Sequence, residues 1–146
     1  MRIAVLNGPN LNLLGTREPA IYGSTTLAQI EARLRDVGRE LHVEVECQQH
    51  NGEGALIDAI QALRGKADAA IINAGAYSHT SLAIRDAFAA VELPFVEVHL
   101  TNIFAREPER RHSTLASGAR AVLCGFGAVG YELALRGLAA TPPPRV

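Results

Sequence analysis

Five short apolar runs, separated by segments whose apolar residues recur every three or four positions, leave this chain few folds to choose from. The runs are Ile3-Ala4-Val5-Leu6, Val43-Glu44-Val45, Ala69-Ala70-Ile71-Ile72, Phe95-Val96-Glu97-Val98 and Ala121-Val122-Leu123. Several are mostly apolar rather than strictly alternating, as strands covered on both faces should be. Between the first two, Leu27, Ile30, Leu34, Val37 and Leu41 form one helical stripe, and Thr26 with Gln29 has the spacing of a capping box at its start. Leu56, Ile60 and Leu63 mark a second helix; a third is predicted from near Ser78 to Ala90, and a last from about Val129 to Leu138. This alternation predicts an α/β fold: a flavodoxin-like three-layer sandwich with a five-stranded parallel sheet. A single domain over residues 1–140 holds all of these elements. The proline-rich stretch 141–146 cannot prolong the last helix and is expected to be a flexible tail.

Several function classes drop out on composition. With 146 residues, 48% of them hydrophobic, the chain can bury roughly two-thirds of its unfolded surface and needs no disulfide or metal staple. A net charge of −1 lacks the basic footprint of a nucleic-acid binder. The apolar runs are too short to cross a bilayer, and the first stops at Asn7-Gly8-Pro9-Asn10, so neither a membrane span nor a signal peptide is expected. Cys47 and Cys124 lack metal-ligand spacing and are expected to be buried free thiols in a reducing cytoplasm. Lys66 is the single lysine, so a Schiff-base mechanism has one candidate.

Ligands of such sheets bind beyond the carboxyl ends of the strands, and the chemically informative segments fall there. The long segment from Asn7 to Gly23 follows the first strand and carries Arg17 and Tyr22. On their own these two fit either a packed ring beside a solvated charge or a tyrosinate base held by a guanidinium. Bringing a phenol from about 10 to about 7 takes roughly 4 kcal/mol, which one arginine near the oxygen can supply in a partly desolvated site. After the third strand comes Asn73-Ala74-Gly75-Ala76-Tyr77-Ser78-His79-Thr80-Ser81, which reads as a helix start capped by Ser78 or Thr80. His79 would then lie in the first helical turn, where the dipole favours a neutral imidazole. The segment fits a ligand contact as well as a plain cap. Glu97 and His99 lie two apart on the fourth strand and so share a face; a buried carboxylate there fits a general acid with its orienting partner. Arg106, Arg110 and Arg111 follow in a charge-rich stretch, and one of them facing the site could hold a substrate hydroxyl or carboxylate.

Taken together, five strings carry a resemblance. Asn7-Gly8-Pro9-Asn10-Leu11, Arg17-Glu18-Pro19 with Tyr22-Gly23, Asn73-Ala74-Gly75-Ala76 with His79-Thr80-Ser81, Glu97-Val98-His99-Leu100-Thr101-Asn102 and Arg110-Arg111-His112-Ser113 resemble the type II 3-dehydroquinate dehydratases, in order over residues 1–140. The resemblance implies cofactor-free, metal-free dehydration of 3-dehydroquinate, a shikimate-pathway step, by a flavodoxin-like enzyme assembled as a homododecamer of trimers. It also implies roles. Tyr22 would be the base, with Arg17 stabilising the tyrosinate on a lid. Asn10 would hold a water at an enolate, and His99 would be the acid, oriented by Glu97. Asn73, His79 and Arg110 would bind ring hydroxyls, while Leu100 and Thr101 would hold the carboxylate and Asp86 would reach a neighbouring subunit's site. Ala74 and Thr101 replace the family's common proline and serine, and Gln48-Gln49-His50-Asn51-Gly52-Glu53-Gly54 departs from its usual form.

Three competing readings fare worse. A flavin or nucleotide binder would want a glycine-rich first turn, whereas Gly125-Phe126-Gly127-Ala128-Val129-Gly130 follows the last strand. A Schiff-base dehydratase would depend on Lys66, expected away from the active end. A non-enzymatic scaffold leaves Glu97 and His99 unexplained.

Overall fold

The computed structural model describes residues 1–16 and 18–144; Arg17, and Arg145 and Val146 of the expected tail, lie outside the described residues. Five strands, β1 (Arg2–Asn7), β2 (Glu44–Gln49), β3 (Ala69–Asn73), β4 (Phe95–His99) and β5 (Ala121–Cys124), pair in parallel in the order β2-β1-β3-β4-β5. Five α-helices accompany them: α1 (Pro19–Tyr22), α2 (Leu27–Leu41), α3 (Glu53–Ala62), α4 (Leu82–Val91) and α5 (Val129–Ala140). This is the flavodoxin-like architecture that the strand–helix alternation predicts.

The pleat explains the three layers. Ile3, Val5, Ile71, Val96 and Val98 face α2 and α5, where they meet Ile30, Leu34, Val37 and Leu135. Their neighbours Ala4, Leu6, Ile72 and Phe95 face α3 and α4 and meet Leu56, Ile60, Ile84 and Phe88. Each fully buried Leu, Ile, Val or Phe contributes about 1.5–3 kcal/mol, so the two cores carry the fold. The strand order reverses direction between β1 and β3, whose last residues Asn7 and Asn73 lie side by side. That is the crevice where such sheets take ligands.

Local structure follows the chain's chemistry, with some differences from expectation. At the start of α2 the Thr26 hydroxyl accepts from Gln29 N–H while the Gln29 amide takes the Thr26 N–H, the predicted capping box. The third long helix begins at Leu82 rather than near Ser78. Residues Gly75–His79 form a 3-10 turn, and Ser81, not Ser78 or Thr80, caps α4 by accepting from Ile84 N–H. The Ser78 and Ser81 carbonyls are taken by the Thr114 hydroxyl, which anchors the turn from outside. His79 therefore sits in the 3-10 turn and not in the first turn of α4. Proline at its first position starts the short α1, which periodicity did not reveal. The cysteines are free but half-buried rather than buried, and desolvation pushes the Cys47 thiol up to about 11. Lys66 lies in the turn between α3 and β3, at the amino end of the strands. No helix of the described residues is long and apolar enough to cross a membrane.

Candidate active site

The carboxyl ends of β1, β3 and β4, with the segments that follow them, enclose a cavity lined by Asn10, Tyr22, Asn73, His79, His99, Leu100, Thr101, Arg106 and Arg110. Pro9, Leu11, Gly75, Ala76 and Ile103 complete its wall. Of the residues singled out from sequence, Glu97 lies beneath this cavity and Asp86 lies elsewhere, on a groove with Arg85, Phe88 and Glu92. The other residues to which the resemblance gives a role line it, apart from Arg17, which falls outside the described residues; of the three candidate arginines Arg106 and Arg110 line it and Arg111 does not.

On one wall stands Tyr22, at the end of α1. Arg106 Nη1 donates to its hydroxyl at 2.9 Å, and the Arg106 guanidinium carbon lies 5.2 Å from the ring centroid. The contact sets a cationic donor directly on the phenol oxygen. Sequence reasoning offered Arg106, with Arg110 and Arg111, only as a cation for a substrate hydroxyl or carboxylate and missed this contact. Glu107 bridges Arg106 and Arg110, pairing with Arg110 Nε and lying 3.8 Å from Arg106 Nε. The Glu107 carboxyl is held below its ordinary range, first by its own backbone N–H and then by Arg110.

The end of β4 supplies a second group. Glu97 is 0% exposed and His99 6% exposed, and they face the same way, as strand alternation requires. His99 Nε2 lies 3.3 Å from Glu97 Oε1, at ion-pair distance but without hydrogen-bond alignment. The Ser113 hydroxyl donates to that same Oε1, while Oε2 is buried with no hydrogen bond among the described residues. A carboxyl group with one oxygen unpartnered in the middle of an apolar sheet is costly to bury, which makes its placement under an imidazole chemically pointed.

A third wall carries His79, Asn73 and Asn10. His79 Nδ1 lies 2.7 Å from the His112 carbonyl, which can only accept, so that nitrogen carries the proton. Burial, helped by the nearby His99, Arg110 and His112, lowers the His79 pKa, and the neutral ring keeps Nε2 as an acceptor. His112 Nε2 donates back to the His79 carbonyl at 2.8 Å, fastening the arginine-bearing loop to the 3-10 turn. Asn73 is oriented from below: Oδ1 accepts from Gly75 N–H at 3.2 Å and Nδ2 donates to the buried Tyr131 hydroxyl at 3.0 Å. Asn10 has a left-handed backbone (φ 69°), held by its N–H donating to Asn51 Oδ1 at 3.0 Å. Gln49 Nε2 donates to the same Oδ1, so the segment after β2 braces Asn10. The glycine run before α5 is explained by backbone conformation, left-handed at Gly125 and at Gly127 (φ 59°). A Cβ on Gly125 (φ 96°) would sit 3.5 Å from Asn102 in the loop after β4, and the backbone there is left-handed. Among the described residues no three His, Cys, Asp or Glu side chains gather as a metal-ligand set.

With this geometry in view, comparisons with known proteins are specific. The sequence profile of the family described as "Dehydroquinase class II" matches residues 1–139. A 3-dehydroquinate dehydratase of Gemmatimonas aurantiaca is 62% identical over 138 residues, covering 94% of this chain and 91% of that protein. One from Synechococcus sp. strain WH7803 is 56% identical, covering 94% of each. Among solved structures, the type II dehydroquinase of Propionibacterium acnes superposes with a TM-score of 0.91 at 44% identity, covering 95% of this chain and 96% of that one.

Proposed function

The chain belongs to the class II dehydroquinase family, and on that footing we propose that it converts 3-dehydroquinate to 3-dehydroshikimate by reversible trans-dehydration through an enolate, without a Schiff base. The observation that carries this reading is the pairing of two differently activated groups on one cavity: a phenol beside a guanidinium and an imidazole above a buried carboxylate. Tyr22, as phenolate, takes the proton from the carbon next to the ketone. The electron pair moves into the carbonyl, and Asn10 holds a water that stabilises the enolate oxygen. Collapse of the enolate expels the hydroxyl on the far carbon, which leaves as water with a proton from His99. His99 Nε2 is buried 3.3 Å from Glu97 Oε1, which leaves Nδ1 for that proton. Arg106, and Arg17 by its likeness to the family's lid arginine, favour the phenolate.

Asn73, His79 and Arg110 bind the ring hydroxyls, and the neutral His79 suits a hydroxyl donor. Leu100 and Thr101 receive the carboxylate. Asp86 belongs to another subunit's site in this reading, since it lies on a separate groove of its own chain. A homododecamer of trimers, acting in the cytoplasm on the shikimate pathway, completes the proposal. Exposed Val122, Val129, Leu133 and Phe126, along β5 and the start of α5, offer apolar surface for such contacts.

The deciding measurement is the rise in ultraviolet absorbance as a conjugated enone forms from 3-dehydroquinate, with no metal or cofactor added. Tyr22→Phe is expected to lower kcat by more than about a hundredfold with little change in KM. A variant within about tenfold of the parent would remove Tyr22 from the role of base.

A further inference from the structure

We propose that Ser113 is a positioning residue that sets the Glu97 carboxylate against His99. A hydroxyl has one proton to give and two lone pairs to receive with. At Ser113 both lone pairs are engaged, by Leu115 N–H and Ala116 N–H, each at 3.1 Å. The proton is therefore committed to Glu97 Oε1, the oxygen that also lies 3.3 Å from His99 Nε2. A hydrogen bond whose direction is fixed in this way opposes rotation of the carboxylate.

Nothing else among the described residues hydrogen-bonds that carboxylate. Its strand neighbours are Ile72 on β3 and Val122 on β5, which offer no donor side chain. Ser113 itself is well anchored. Thr114 N–H donates to the Ser78 carbonyl at 2.8 Å, and Leu115 is completely buried in the core beneath α3 and α4. Two neighbouring residues thus lock the hydroxyl in place from the core side. A competing role for Ser113 is to cap the turn at Ala116–Gly118 and nothing more, which would affect stability but not the acid.

This inference rests on the reading of Glu97 and His99 given above, and steady-state kinetics with 3-dehydroquinate separates the two. Ser113→Ala is expected to lower kcat about ten- to a hundredfold with KM within about threefold, the scale of a lost hydrogen bond to a charged group. Ser113→Thr, which keeps the hydroxyl, should recover most of the rate. Ser113→Cys, of similar size but a weak donor, should behave like Ala and takes its place if Ala does not fold. In a Glu97→Ala background, removing the Ser113 hydroxyl should cost less than about threefold more, because its acceptor has gone. Equal losses in both backgrounds, an unchanged kcat, or a loss confined to KM would overturn the role of Ser113. A parent protein that makes no enone would instead overturn the functional reading itself.

Discussion

The hydroxyl of Tyr131 joins the two asparagines that end β1 and β3. It donates to Asn7 Oδ1 at 2.6 Å and accepts from Asn73 Nδ2 at 3.0 Å, wholly buried. Burial pushes the phenol well above its ordinary value, so it remains a neutral donor throughout the working range. Replacing it by phenylalanine would strand an amide and a carbonyl in the interior. Tyr131→Phe is expected to cost about 1–3 kcal/mol in denaturant unfolding, the penalty for unsatisfied buried groups. A change below about 0.5 kcal/mol would mean the asparagines find other partners. None of this was legible in the sequence, where Tyr131 simply falls within the last predicted helix. Its partners lie 124 and 58 positions away. Arg106 was opaque for the same reason, 84 positions from Tyr22. Glu97 and His99 were readable because a strand places residues two apart on one face, so sequence distance there equals spatial distance.

Among the elements, α2 was the most legible, since its stripe and its cap are both local patterns. The start of α4 was not, because the carbonyls of Ser78 and Ser81 are claimed by Thr114, a residue from a distant loop. The edge strands show the reach of the apolar pattern. β2 runs on to Gln49 through polar residues that one exposed face allows, beyond the Val43-Glu44-Val45 core that hydrophobicity marked. Within α2, Gly38 sets local preference against packing. Alanine there would gain about 1 kcal/mol in helix propensity. Its Cβ, however, would sit 2.8 Å from both the Val43 carbonyl and Val45 Cγ2, at the point where the chain turns from α2 into β2. Val43 N–H also donates to the Gly38 carbonyl at 2.8 Å, so the backbone cannot give way cheaply. Overpacking of this kind costs about 1–3 kcal/mol, so Gly38→Ala should lower the unfolding midpoint. A raised midpoint would show that the α2–β2 junction yields more easily than these contacts imply.

Across the whole molecule, a net charge of −1 conceals an uneven distribution. Arg106, Arg110, His79 and His99 meet at one cavity at the carboxyl end of the sheet, which suits a substrate bearing a carboxylate. That concentration makes the fold sensitive to acid. His79 is half-buried among His99, Arg110 and His112, and desolvation first, then these neighbours, hold its pKa below the ordinary 6.5. The unfolded chain therefore binds a proton here at a higher pH than the folded one. The stability owed to the neutral ring is present above about pH 6.5 and is lost as the pH falls through the lower folded value. His79→Gln removes that proton uptake and leaves the other titrating groups in place. Comparing denaturant midpoints of the two proteins without ligand at about pH 8 and about pH 5 isolates the effect. The parent should lose more stability on acidification than the variant, and raised salt should narrow the gap by screening the neighbouring arginine. Equal losses would mean that the imidazole is protonated as readily in the folded cavity as in the open chain.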